Sequence, residues 1–211
     1  MPGPLVGVTQ RTVPLPRRGE VRDCLDQAWA VFLAACGLEM VPLPTRLADP
    51  LAWVDRLGLA GVVLSGGNNL PPAEGDLAPG RDRLERALVL EAGPTLKVLG
   101  VCRGMQMLNL AHGGRLRPIP GHAGGTHLLA PGPGAWAGPD LPKGVNSFHD
   151  YGLLPADLAS GLKALALAED GSVEALAHEA LPHLGIMWHP ERGEPRPTDL
   201  ELFAWFFGAG R

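Results

Sequence analysis

The chain has 211 residues, 45% of them hydrophobic, which is enough for one domain with a sizeable core. Its formal net charge of −4 offers no basic footprint for nucleic acid. No run approaches the ~18 apolar residues of a membrane span. The start, Met1-Pro2-Gly3-Pro4-Leu5-Val6-Gly7-Val8, lacks the basic and long apolar regions of a signal peptide, so a cytoplasmic protein is expected.

Residues 5–10 read as a strand, 21–36 as a helix, 38–43 as a strand and 50–57 as a short helix. Residues 61–65 read as a buried strand, 82–91 as a helix and 96–101 as a strand running into a further helix. This alternation predicts a mostly parallel central sheet with helices on both faces, a three-layer α/β sandwich. Ligands in such sheets bind at the carboxyl ends of the strands. Thr9-Gln10-Arg11, Ser65-Gly66-Gly67 and Cys102 fall at such ends and are expected to line one crevice. Residues 118–142 form a Gly/Pro-rich stretch with His122, His127 and Trp136, and a loop of that length is usually functional or mobile. Residues 162–168, 173–178 and 184–188 read as strands, the first two joined by a turn at Asp170-Gly171. Residues 198–207 read as a closing amphipathic helix with Leu202, Phe203 and Phe206 on one face. No linker or internal repeat divides residues 1–211, which read as a single domain.

The segment Gly100-Val101-Cys102-Arg103-Gly104 lies between a predicted strand and a predicted helix. A cysteine at such a turn has the mechanics of a nucleophile elbow, with small flanking residues where strand and helix backbones meet. The helix N-terminus favours thiolate over thiol. Downstream, Trp188-His189-Pro190-Glu191 supplies an imidazole to move the proton and a carboxylate to fix its tautomer. Cys24 and Cys36 fall in the predicted apolar helix and read as small hydrophobes. Three cysteines without ligand spacing predict neither a disulfide framework nor a zinc site. The histidines at 112, 122, 127, 178 and 183 read as ordinary loop or core residues, with His122 and His127 in reach of the pocket.

These residues resemble the class I glutamine amidotransferase superfamily, whose signature is a Gly-x-Cys-x-Gly elbow followed by His-Pro-Glu. Two more blocks fall in order. Leu64-Ser65-Gly66-Gly67-Asn68 stands where the superfamily places an oxyanion loop. Val145-Asn146-Ser147-Phe148-His149 stands where its γ-glutamyl hydrolase branch (peptidase C26) has a substrate-binding Asn-Ser-x-His. Arg103 and the Arg81-Asp82-x-x-Glu85 block point to the same branch. The resemblance implies a flavodoxin-like fold and hydrolysis of a small γ-glutamyl amide without metal or cofactor. It assigns Cys102 as nucleophile, His189 as base and Glu191 as its orienting group. The backbone amides of Gly67 and Arg103 become the oxyanion donors, and Gln106, Asn146, Ser147 and His149 the substrate contacts.

The block Arg81, Asp82 and Glu85 reads either as an exposed ion cluster of little energetic weight or as part of the site. Two positions depart from the γ-glutamyl-γ-aminobutyrate hydrolases: Met187 and Tyr151 stand where those enzymes carry Gln. The pattern more closely resembles hydrolases acting on γ-glutamyl-CDP-amidate, with a γ-glutamyl-γ-aminobutyrate (polyamine pathway) or other γ-glutamyl amine hydrolase as the runner-up. Arg11, with Arg17, Arg18 and Arg192, is then a candidate clamp for phosphate, against the alternative of solvated surface arginines. A glutaminase subunit serving a synthetase partner is the second enzyme reading. A catalytically dead interaction domain is disfavoured because all three triad positions are filled. Homo-oligomerisation is left open.

Overall fold

A computed structural model describes residues 3–209. Met1, Pro2, Gly210 and Arg211, and with them the first two residues of the N-terminal segment, lie outside the described residues. The first part of the chain runs β1 (Leu5–Thr9), β2 (Arg11–Leu15), β3 (Glu20–Cys24), α1 (Ala28–Ala35), β4 (Glu39–Leu43), α2 (Pro50–Leu57), β5 (Gly61–Leu64), α3 (Pro79–Leu90), β6 (Val98–Val101) and α4 (Arg103–Ala111). The second part runs β7 (Arg117–Pro118), β8 (Ala123–Leu128), β9 (Ala130–Pro131), β10 (Gly144–Phe148), β11 (Tyr151–Gly152), β12 (Leu162–Leu167), β13 (Val173–His178), β14 (His183–Ile186) and α5 (Pro197–Phe207).

The main sheet has the order β4-β1-β5-β6-β14-β13-β12-β9. Its first five strands are parallel, and β13, β12 and β9 extend it antiparallel. Apolar runs such as Val62-Val63-Leu64 and Val98-Leu99 are fully buried, as parallel strands covered on both faces must be. In β5, a Cβ on Gly61 would meet Phe207 of α5, whereas Leu64 lies against Gly104 of α4. Residues three apart on a strand point to opposite faces, so α4 and α5 cover opposite sides of the sheet. The α5 side is filled by Trp29, Phe32 and Phe203, with Phe32 and Phe203 edge-on at 4.9 Å between centroids. The predicted mostly parallel sheet is what the chain forms.

Two expectations are corrected. Residues 21–36 are not one helix: only Ala28–Ala35 is helical, and Glu20–Cys24 pairs with Arg11–Leu15 as a hairpin. The hairpin turns at Gly19, whose φ of 64° a side chain would resist. Asp23 bonds both the Thr45 N–H (2.9 Å) and its hydroxyl (2.7 Å), and this tertiary anchor outweighs the local helical preference. Cys24 is therefore a half-buried strand residue. Cys36 ends α1 in the core, where burial, with Asp199 adding to it, pushes its thiol up to about 12. The stretch 118–142 is not a bare loop either: β8 pairs with β10 as a flap, and β9 joins the sheet edge beside β12.

Candidate active site

Cys102 is held between β6 and α4 at φ 52° and ψ −107°. A side-chain-bearing residue in that region is strained by about 1–3 kcal/mol and persists only where its surroundings force it. They do so here. A Cβ on Gly100 would lie 2.4 Å from the backbone of Gly104, and one on Gly104 would lie 2.0 Å from the Leu64 carbonyl oxygen. No side chain fits at either position, so the turn stays tight and the sulfur is presented at the start of α4.

His189 follows β14 and reaches the same point. Its Nδ1 donates to Glu191 Oε1 at 2.7 Å, and Glu191 is buried behind it. His189 and Cys102 border the same cleft. Burial opposes a charge on His189, but the neighbouring Cys102 and the bonded Glu191 outweigh it and raise the imidazole to about 9. Asn146 does not face the cleft. Its Nδ2 donates to the His189 carbonyl at 2.9 Å and its Oδ1 accepts from the His189 N–H at 2.8 Å. It clips the backbone of His189 in place, a role different from the substrate contact implied by the motif. Ser147 is fully buried and does not border the cleft.

The Arg81 cluster is not exposed. Arg81 and Glu85 have no solvent exposure, and Arg103 is also buried. Arg81 Nη1 donates to the carbonyls of Gly66 (3.1 Å) and Gly67 (2.6 Å), Nη2 to the carbonyl and hydroxyl of Ser65, and Nε to Glu85 at 2.7 Å. Glu85 also accepts from Arg103 and from the Thr9 hydroxyl (2.7 Å), while the other arm of Arg103 reaches Asp82. Burial works against the charge on Glu85, but Arg103 and Arg81 hold its carboxyl below the ordinary range. Burial lowers Arg81 to about 10, which leaves it a cation at neutral pH. A trans peptide sets its C=O and N–H in opposite directions. With the Gly66 carbonyl drawn to Arg81, the Gly67 N–H faces away from it, and Gly67 itself borders the cleft.

The cleft holds about 430 Å³ and is bordered by Arg11, Gly67, Cys102, Arg103, Gln106, His149 and His189, among others. Gln106 Nε2 donates to the Tyr151 carbonyl at 2.7 Å and packs on Met187. His149 bonds the same carbonyl through Nδ1 at 3.0 Å. Arg11 shares its guanidinium with Asp76 at 3.3 Å. Arg17 and Arg18, at the tip of the β2–β3 hairpin, are not among the bordering residues. Phe148 is a rim residue that the sequence does not flag. It is half-exposed, its ring lies 5.7 Å from that of His189, and Arg192 stacks over it at 4.5 Å. Nothing in its spacing marks that role.

Beside the cleft, His122, His127, His149 and Glu174 bring one donor atom each to within 4.8 Å of one another. The lack of ligand spacing among the cysteines has no bearing on this group. It contains no cysteine and is assembled from the flap and β13.

The family model of glutamine amidotransferase class I matches residues 27–209. The chain belongs to the class I glutamine amidotransferases. It is 29% identical to the γ-glutamyl-CDP-amidate hydrolase of Campylobacter jejuni over 205 residues, covering 95% of this chain and 96% of the other. It is 34% identical to a glutamine amidotransferase-like protein of Lactococcus lactis over 189 residues, 76% of each chain. In fold it is similar to the crystal structure of a glutamine amidotransferase from Thermotoga maritima, with a TM-score of 0.63 at 15% identity, covering 98% of this chain and 99% of that one. The chain is an amide hydrolase of this family. Among the described residues no helix is long and apolar enough to cross a membrane.

Proposed function

We propose that residues 1–211 act as one cytoplasmic hydrolase domain that cleaves a γ-glutamyl amide whose amine half carries phosphate, as in γ-glutamyl-CDP-amidate. The observation that carries this reading is the strained Cys102 turn with the His189–Glu191 pair against it at a cleft. The Cys102 thiolate attacks the γ-carbonyl carbon, and the carbonyl electron pair moves to oxygen. The amides of Gly67 and Arg103 hold that oxyanion. His189 gives its proton to the departing nitrogen, and the C–N bond breaks to leave a γ-glutamyl thioester. His189 then takes a proton from water, whose oxygen attacks the thioester carbonyl; glutamate leaves and the thiolate returns. Glu191 keeps the imidazole in the tautomer both steps need.

Support for a phosphate-bearing amine comes from Arg11 and Arg192 on the cleft rim and from the half-exposed Phe148 beside them, over which Arg192 stacks. Guanidinium groups match phosphate oxygens with paired donors, and an aromatic face suits a base. The near full-length similarity to the Campylobacter enzyme points the same way. The test is kcat/KM for γ-glutamyl-CDP-amidate, γ-glutamyl-γ-aminobutyrate and glutamine, in wild type, Cys102→Ala and Arg11→Ala. Cys102→Ala should abolish turnover. Arg11→Ala should lower kcat/KM about tenfold for the CDP compound alone, the worth of one charge-assisted hydrogen bond. A better rate on the aminobutyrate compound, unmoved by Arg11→Ala, would refute the phosphate assignment. Turnover of glutamine alone, and only with a synthetase partner, would make the chain a glutaminase subunit.

A further inference from the structure

The four side chains beside the cleft face one another in a way their hydrogen bonds do not explain. His122 Nδ1 lies 3.3 Å from His149 Nε2, and each lies 3.6 Å from Glu174 Oε1. The far nitrogens of both rings are already committed. His149 Nδ1 meets the Tyr151 carbonyl at 3.0 Å, and His122 Nε2 meets Asp170 Oδ2 at 3.0 Å. A carbonyl and a carboxylate only accept, so both far nitrogens carry the hydrogen. In the neutral tautomers that those outer bonds select, the near nitrogens point bare lone pairs at each other. Glu174 is fully buried, and neither of its oxygens has a hydrogen-bond partner among the described residues; the same holds for His127 Nε2. Three lone pairs and a buried carboxylate converging without a donor call for a cation among them.

We propose that His122, His127, His149 and Glu174 bind one divalent transition-metal ion, and that the ion is zinc. Zinc at about 2.0–2.1 Å from tetrahedral nitrogen and oxygen donors sets those donors roughly 3.3–3.4 Å apart. The three separations among His122, His149 and Glu174 match that spacing within a few tenths of an ångström. His127 stands further out, within 4.8 Å of the others, and completes the tetrahedron by moving inward. Three imidazoles and a carboxylate suit zinc better than calcium or magnesium, which take oxygen ligands. The outer bonds to Asp170 and the Tyr151 carbonyl are those that orient metal-bound histidines elsewhere. Four protein donors leave no open position, so the ion has a structural role.

Its placement says what it holds. His122 and His127 belong to the β8 side of the flap, His149 directly follows β10, and Glu174 lies in β13 of the main sheet. The ion pins the flap to the sheet. Because β10 carries Asn146, it also steadies the strand that clips His189.

The full chain, produced in zinc-supplemented medium and gel-filtered, should carry about one zinc per chain by elemental analysis. Chelation should lower its Tm, and added zinc should restore it. Cobalt replacement should give the visible bands of a four-coordinate site. His127→Ala and Glu174→Gln should each reduce occupancy about tenfold or more, while His178→Ala, in a separate histidine group, should leave it unchanged. Should those variants fail to fold, Asp170→Asn tests the same idea from outside the ligand set, with zinc affinity falling about tenfold in a folded protein. The proposal is overturned if the protein holds under about a tenth of an equivalent and neither zinc nor cobalt shifts its Tm. It is equally overturned if occupancy is indifferent to Glu174→Gln and Asp170→Asn. In either case a shared proton supplies the missing charge.

Discussion

Gly66 sits where a single methyl group would meet the imidazole of His189. A Cβ built there lies 2.6 Å from Cε1, and ordinary contact begins near 3.4 Å, so the ring must retreat by about 0.8 Å. The backbone of Gly66 is not in the left-handed region, so alanine is accepted locally. The ring has no free direction. Nδ1 is tied to Glu191 at 2.7 Å, and the His189 backbone is clipped at both its N–H and its carbonyl by Asn146. A retreat of that size stretches the Glu191 bond beyond good hydrogen-bond length or draws the ring away from Cys102. Misplacing a reacting group by about 1 Å costs on the order of 100-fold in rate, or about 2.7 kcal/mol of barrier. Gly66→Ala is therefore expected to lower kcat about 100-fold with little change in KM. Its Tm should stay near that of wild type, since replacing glycine at a permissive position stabilises by about 0.4–1 kcal/mol and offsets part of the clash. The assay is glutamate release from the best γ-glutamyl amide, with thermal unfolding on the same sample. A folded variant within about threefold of wild-type kcat would refute the argument and place the reactive imidazole elsewhere.

Glu191→Gln should fold normally and lose up to about 10⁴ in kcat, because the amide cannot hold the same tautomer; activity within about tenfold of wild type would show another orienting group. Arg81→Met should destabilise by about 3–5 kcal/mol in urea unfolding, the cost of breaking a buried charge network; a loss under about 1 kcal/mol would mean that the network carries little. In Arg81→Lys a point charge replaces the fork that spans three carbonyls, so kcat should fall more than KM rises. His189 is raised to about 9 against an ordinary 6.5, so the stability it contributes is full below about 6.5 and lost as pH rises through 9. Titration of its ring protons by NMR should give the high value in wild type and a lower one in Cys102→Ala; equal values would remove Cys102 as its partner.

Much of this site was legible because its chemistry is written in short local strings. The elbow glycines and the His-Pro-Glu run state their own geometry, and the parallel strands announce themselves as unbroken apolar runs. What failed to show were features made by distant pairing. Val21 to Cys24 reads as the start of a helix until Asp23 finds Thr45 and β2 finds β3. Arg81 reads either as a surface charge or as part of the site until the Ser65–Gly67 carbonyls close over it. Asn146 reads as a substrate contact because its motif names the residue type, while only the fold reveals that its amide matches a backbone rather than a ligand. The His122 group lay hidden because its donors come from three segments with no common spacing.

The buried carboxylate of Glu85 links parts of the chain that lie far apart in sequence. It pairs with Arg103, the residue directly after Cys102, and through Arg81 it reaches the loop of Ser65 to Gly67. Arg11, Phe148 and Arg192 hang instead on the β2–β3 hairpin, the flap and the segment after β14, outside that hub. On the proposed function, bond cleavage and choice of leaving group are thus wired separately. A library of substitutions confined to the rim can redirect the enzyme to another amine without retuning the thiolate, whereas two substitutions within the hub should interact strongly and resist being made one at a time.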